Sequence, residues 1–195
     1  IKLASFLKEK GIKTLGTMMT TQLKPFDQMA YDPVTEMLTD IMCAKTQNSE
    51  RMFFRIACTY YWGVLASQMH ANIQGWGGNT LPINIYAMNL SPSGTGKGVS
   101  TGFMENNVIR LFRERFLNET FPLLAEINLP KLAHKRAVRK GVDPDDELTK
   151  VQKEFDNLGN LAFSFDSGTP AAVKQIRHKL LMSDVGSVNV QIAEI

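Results

Sequence analysis

Apolar residues recur at three- and four-residue steps through much of this chain, and that spacing predicts helices. The clearest run is Met52, Phe53, Ile56, Tyr60, Val64 and Leu65. It places a helix over residues 51–71 behind a Ser49 cap, apolar around much of its circumference and therefore well buried. Asp32 followed by Pro33 opens another over residues 33–44, with the acid as N-cap and the proline at the first helical position. A first helix covers residues 3–10 and ends at Gly11. Asp143 and Pro144 start a further helix, with Asp145, Asp146 and Glu147 over the positive end of its dipole. Leu148, Val151, Phe155 and Leu158 share one of its faces, and Gly159 ends it. Thr169 and Pro170 open one more, to about residue 182.

Other stretches read as strands and turns. Residues 83–90, Ile-Asn-Ile-Tyr-Ala-Met-Asn-Leu, partly alternate and follow a glycine-rich loop at 74–79. Short strands are expected at 161–165 and, after Gly186, at 188–192. A helix from 97 to 116 follows a Gly/Ser/Pro turn at 91–98, and Pro122 and Pro130 interrupt the helical runs of 117–142. From residue 83 onward the order is strand, helices, strand, helix, strand. That is an α/β pattern with a parallel sheet. It divides the chain into a helical region at 1–80 and a core at 81–195, with a helical insertion at about 117–158.

Composition narrows the class. The chain has 195 residues, 44% apolar and 21% charged, which suits one globular domain and excludes a disordered tail, a collagen-like fibre or a disulfide scaffold. Net charge is +3, too small to argue nucleic-acid binding by itself. No stretch of about 18 uncharged apolar residues occurs, so no membrane span is expected. Cys43 and Cys58 sit in helix-like apolar surroundings. They read as small hydrophobes in a reducing, cytoplasmic compartment rather than as a disulfide or metal site. The chain starts at Ile1 and stops after a hydrophobic run, so both ends read as cuts within a larger protein.

The chemically informative string is Ser91-Pro92-Ser93-Gly94-Thr95-Gly96-Lys97-Gly98, between an expected strand and an expected helix. Small residues there let successive backbone N–H groups turn inward around a phosphate, and the following helix adds its dipole. Residues Ser93, Gly94, Thr95, Gly96, Lys97, Gly98 and Val99 form the candidate phosphate-binding set, with Lys97 neutralising the outer phosphates. The bland alternative is a tight glycine turn with an exposed lysine. Two departures from Gly-x-x-x-x-Gly-Lys-Ser/Thr stand out. Ser91 replaces the first glycine, and Gly98 replaces the hydroxyl residue that normally ligates Mg²⁺. Ser100 and Thr101 lie nearby but are not placed to ligate it directly.

Such a site also needs a carboxylate at a neighbouring strand tip. Glu194 follows the expected strand 188–192 and matches a catalytic base that orients water. Ala193 stands where the metal-associated Asp is expected, which points to a degenerate site or a deliberately crippled one. An exposed strand-end carboxylate is the plainer reading of Glu194. Asp166 is a second acid near the expected sheet edge, with capping of the 169–170 helix start as its simpler role.

With these residues in hand, the chain resembles the P-loop helicase and primase–helicase ATPases of phages and plasmids. The resemblance rests on the apolar helix leading through a Trp/Gly loop into Leu81-Pro82-Ile83-Asn84-Ile85-Tyr86, on Ser93-Gly94-Thr95-Gly96-Lys97, and on Asp166-Ser167-Gly168-Thr169-Pro170 with Val190-Gln191-Ile192-Ala193-Glu194-Ile195. It covers residue 50 to the end. It implies a RecA-like or AAA+-like core lacking the C-terminal part of its sheet, ATP with Mg²⁺ as cofactors, hydrolysis, assembly into a ring (often hexameric) and translocation on DNA, single-stranded in the first instance. A phage-encoded protein of this kind would work in the host cytoplasm.

Other features are weaker. Lys131, His134, Lys135, Arg136, Arg139 and Lys140 form an acid-free basic run that would follow a phosphate backbone or serve as a solvated helix end. Phe112, Phe116 and Phe121 read as core. His70, His134 and His178 are isolated and lack metal or triad spacing. The leading expectation is therefore an ATP-binding motor module. The rivals are a non-hydrolysing nucleotide-binding scaffold, which the departures at Gly98 and Ala193 favour, and an ATPase for DNA packaging or antiphage defence.

Overall fold

Local capping chemistry places the helices. In a computed structural model that describes residues 30–75, 77–164 and 169–191, Asp32 accepts hydrogen bonds from the Val34 and Thr35 amides and starts α1, Pro33–Thr46. Asp143 does the same for the Asp145 and Asp146 amides, and Thr169 for that of Ala172. These caps satisfy N–H groups that a helix end otherwise leaves without partners. The elements in order are α1; α2, Arg51–Gln68; β1, Asn72–Gln74; β2, Thr80–Pro82; α3, Lys97–Phe103; α4, Arg110–Arg115; α5, Phe121–Lys140; α6, Pro144–Asn157; and α7, Pro170–Ser183.

Between α3 and α4, and again between α4 and α5, single π-helical turns at Met104–Val108 and Phe116–Thr120 carry the chain onward. The Ile109 amide donates to the Met104 carbonyl, and the Phe121 amide to that of Phe116, each five residues back. The buried side chains follow the same step: Met104 to Ile109, and Phe116 to Phe121. The prolines expected to interrupt this region do not end it. A proline ring clashes with the carbonyl four residues back in a regular α-helix. For Pro122 that carbonyl is Asn118, inside the wider π turn. Pro130 lies within α5, which continues through it.

The α/β reading with a parallel sheet is wrong. Among the described residues the only sheet is the antiparallel pair β1–β2, with Ile73 opposite Leu81, flanking the expected loop at 74–79. Residues 83–90 and 161–164 form no strand, and 188–191 show only a single bridge position at Val190. The reason lies on α2. The 83–90 segment runs along this helix in the opposite sense: the Ile83 amide meets the Ala71 carbonyl, Ile85 packs on Gly63, and the Asn89 side chain donates to the Phe53 carbonyl at 2.8 Å. A Cβ on Gly63 would stand 2.3 Å from Ile85 Cδ1, so any larger residue there would force the Ile85 side chain to move.

The 186–191 segment also runs opposite to α2. His70 Nε2 lies 2.8 Å from the Gly186 carbonyl oxygen, and Tyr60 donates to the Val190 carbonyl at 3.1 Å. Gln68, almost fully buried, accepts from the Ser187 amide at 3.0 Å and donates to the Ser187 carbonyl at 3.1 Å. Side chains of a helix thus take the partners that a neighbouring strand would supply, and the outward apolar residues Tyr86, Met88 and Leu90 stay exposed.

The main core joins α1, α2, the π turns and the segment around Phe163 and Val185. Phe53, Phe54, Met42, Met104 and Phe116 lie within it. Phe116 meets the Phe163 ring edge-on at 5.8 Å between centroids, a favoured aromatic geometry. A second cluster packs α5, α6 and α7 together. Ala125, Leu129, Ala133 and Ala137 repeat every four residues along α5 and let Val151 and Met182 approach. Ion pairs border both cores. Glu36 on α1 receives Arg55 at 2.7 and 2.8 Å and Arg51 at 2.6 Å from α2. The two guanidinium groups pull the Glu36 carboxyl down to about 2.

Candidate functional site

Residues 91–98 leave the α2 flank and turn into α3, so the candidate phosphate loop is one continuous surface feature. Gly94 and Gly96 adopt left-handed φ values of 84° and 90°, a region open to glycine at little cost. Hydroxyl groups tie the loop to itself. Thr95 Oγ1 donates to the Pro92 carbonyl at 3.0 Å, which leaves the Ser91 hydroxyl to donate to Thr95 Oγ1 at 2.7 Å. The loop rests on the α1–α2 corner. There Asn48 Nδ2 donates to the Thr95 carbonyl at 3.0 Å, and a Cβ on Gly96 would stand 2.3 Å from Thr46 Cγ2.

Among the described residues, nothing lies within 4 Å of where a Cβ of Gly94 or Gly98 would stand, so the opposite side of the loop is open to them. Among the described residues no side chain caps α3, so its first N–H groups lack a capping acceptor there. Lys97 is half-buried at the helix start, while Ser93, Gly98 and Val99 are exposed. The structure therefore places Ser93, Gly94, Thr95, Gly96, Lys97, Gly98 and Val99 together.

Among the described residues it supplies no metal-holding partner near them. Ser100, buried beneath the loop, turns its hydroxyl back to donate to the Lys97 carbonyl at 2.8 Å. Gly98 has no side chain to offer. No group of three His, Cys, Asp or Glu side chains among the described residues could hold a metal ion. Asp166, Ala193 and Glu194 lie outside the described residues. The chain enters that last segment beside α2: Tyr61 Oη sits 3.0 Å from Gln191 Oε1 and 3.2 Å from Glu105 Oε1. The Tyr61 hydroxyl has one proton for two acceptors, which Glu105 takes if the Gln191 amide is turned to donate. Burial, then the Glu105 charge, pushes the Tyr61 hydroxyl pKa up.

The basic run is partly spent inside the fold. Arg136 pairs with Glu154 at 2.6 Å and Lys140 with the buried Glu147 at 2.5 Å. Both glutamates are held below the ordinary carboxylate range, first of all by those cations. Lys131, His134, Lys135 and Arg139 remain on the exposed face of α5. His178 also pairs with Glu154, at 2.6 Å. Cys43 and Cys58 are free thiols, and desolvation raises Cys58 to about 11. A separate open cleft of about 700 Å³ lies between the end of α2, α4 and the Asp184–Val185 turn, and none of the predicted site residues among those described lines it.

Sequence reasoning missed Asn48 and Gln68. Gln68 carries a signal, as a polar residue on the same face as buried Tyr61 and Val64. Asn48 carries none, because its partner is 47 positions away. Comparison with protein families, with curated proteins and with solved structures finds no match to this chain. No helix among the described residues is long and apolar enough to cross a membrane.

Proposed function

We propose that residues 91–98 bind the phosphates of a nucleotide, ATP in the first instance, and that the chain is an ATP-binding module of a phage-type DNA helicase. The observation that carries the binding step is the open face of the loop, where two left-handed glycines lead into an uncapped helix start beside Lys97. Successive amides in such a turn form an anion-binding concavity, and a lysine adds the charge that outer phosphates need. This reading rests on the loop and asks nothing of a sheet behind it. DNA and a ring of like subunits come from the family resemblance. The exposed cations of α5 are the surface offered to a nucleic acid.

Titration with a fluorescent ATP analogue, with and without Mg²⁺, tests the binding step. Saturable binding that disappears in Lys97→Ala is the expected result. Equal binding by both proteins, or none by either, refutes it.

A second reading keeps the nucleotide and drops hydrolysis. The Ser100 hydroxyl is committed to the Lys97 carbonyl, and Gly98 offers no oxygen. Mg²⁺ would then be held by the nucleotide's own phosphates. ATP turnover by the wild-type chain, measured beside Ala193→Asp, decides between the two. Hydrolysis by the wild type rules out a scaffold role, and hydrolysis that appears only in Ala193→Asp supports it.

A further inference from the structure

We propose that Asn48, in the α1–α2 corner, is a positioning residue for the phosphate loop: it turns the Thr95–Gly96 peptide so that the Gly96 N–H faces the ligand side. This inference rests on the phosphate-binding reading above.

The geometry is specific. Asn48 uses both ends of its amide: Oδ1 accepts from the Glu50 backbone N–H at 3.0 Å, and Nδ2 donates to the Thr95 carbonyl at 3.0 Å. The first bond is available only to the oxygen, which fixes which end of the amide meets Thr95. Thr95 C=O and Gly96 N–H belong to one planar trans peptide, so they point in opposite directions. Drawing the carbonyl toward the corner sends the N–H away from it. Thr46 fills the corner side, at 2.3 Å from a Cβ on Gly96, whereas no described residue lies within 4 Å of a Cβ on Gly94 or Gly98. Thr95 Oγ1 holds the Pro92 carbonyl in the same manner and so orients the Ser93 N–H. Released from Asn48, the Thr95 carbonyl is free to rotate inward and present its negative end to an anion. Gly96, with no Cβ of its own, allows the change in φ that such a rotation needs.

Asn48→Ser separates this role from a merely structural one. A serine still accepts from the Glu50 N–H across two residues, carries no charge, and does not reach the Thr95 carbonyl. Binding of the fluorescent ATP analogue is measured beside wild type and Lys97→Ala, with melting temperatures for all three. The expected outcome is a Kd raised about tenfold or more in Asn48→Ser, with Tm within about 2 °C of wild type. An unchanged Kd in Asn48→Ser, with binding lost in Lys97→Ala, overturns the role of Asn48 and leaves the site standing. No binding by wild type, or full binding by Lys97→Ala, removes the site and the inference together.

A second measurement needs no variant. The Gly96 amide resonance of the ¹⁵N-labelled wild-type protein shifts on saturation with the analogue if its N–H meets the phosphate. A Gly96 resonance that stays put while neighbouring loop amides move refutes the orientation.

Discussion

Replacing Gln68 with leucine tests why residues 186–191 lie along a helix instead of in a sheet. Gln68 is almost fully buried and bonds to both backbone groups of Ser187, at 3.0 and 3.1 Å, with a longer contact of 3.4 Å to the Phe163 carbonyl. Leucine nearly fills the same volume but leaves the Ser187 N–H and C=O without their partner. A fully buried backbone group so stranded costs about 1–3 kcal/mol, an upper range for the partly buried Ser187. The apolar side chain returns part of that, since burying one contributes about 1.5–3 kcal/mol. The balance is a loss of about 0.5–3 kcal/mol, the long contact being left out. Urea unfolding followed by circular dichroism measures it as a fall in midpoint at constant slope. Hydrogen exchange at the Ser187 amide locates the change in the segment. A loss below about 0.5 kcal/mol, the range of ordinary surface substitutions, would refute the idea that α2 stands in for a strand. Gln68→Glu sharpens the test. A carboxylate accepts from the Ser187 N–H but repels its carbonyl, whereas the protonated acid donates to it. Its folded pKa is therefore raised, so the protein is expected to be more stable at low pH and to lose stability as pH rises through that raised value.

Three further outcomes follow from the packing and charges. Gly96→Ala meets both a left-handed φ of 90° and Thr46 at 2.3 Å, and should lose about 1–3 kcal/mol in the same unfolding assay, whereas Gly98→Ala, with open space and no left-handed φ, should change it by less than about 0.5 kcal/mol. Ala133→Leu inserts three carbons where α5 meets Val151 and Met182, and calorimetry should show a loss of about 1–3 kcal/mol. Glu36 is depressed to about 2 by Arg55 and Arg51, so its contribution is complete above the ordinary glutamate range and disappears as pH falls toward 2. Glu36→Gln should flatten the decline of Tm over that acid window, and an unchanged decline would show that the pairing contributes nothing.

The helix starts were legible because their causes are local. Asp32 with Pro33, Asp143 with Pro144 and Thr169 with Pro170 each carry the cap and the preset φ within two residues, and all three open helices where expected. The strands were not, because a strand is defined by a partner. Residues 83–90 have the composition of one, yet the side chains and carbonyls of α2 meet them, and that choice is made by Gly63, Asn89 and Phe53 together. The loop was legible as a string of small residues ending in Lys97. Its support at Asn48 depends on a contact that only the folded chain creates, and the expected acid at Glu194 lies outside the described residues. The steps of five from Met104 to Ile109 and from Phe116 to Phe121 were present in the sequence, but a fixed period of 3.6 passes over them.

Those two π turns also set an angle. Each adds one residue to a helix turn, and in a regular helix one residue corresponds to about 100° of rotation and 1.5 Å of rise. The phosphate loop stands at one end of this run of helices, and the α5–α6–α7 packing at the other. Deleting one residue from either turn would leave the periodicity regular while swinging the loop about the axis by roughly a quarter of a circle. The extra residues therefore act as an index mark, fixing the bearing of the loop relative to the helices that α5 holds.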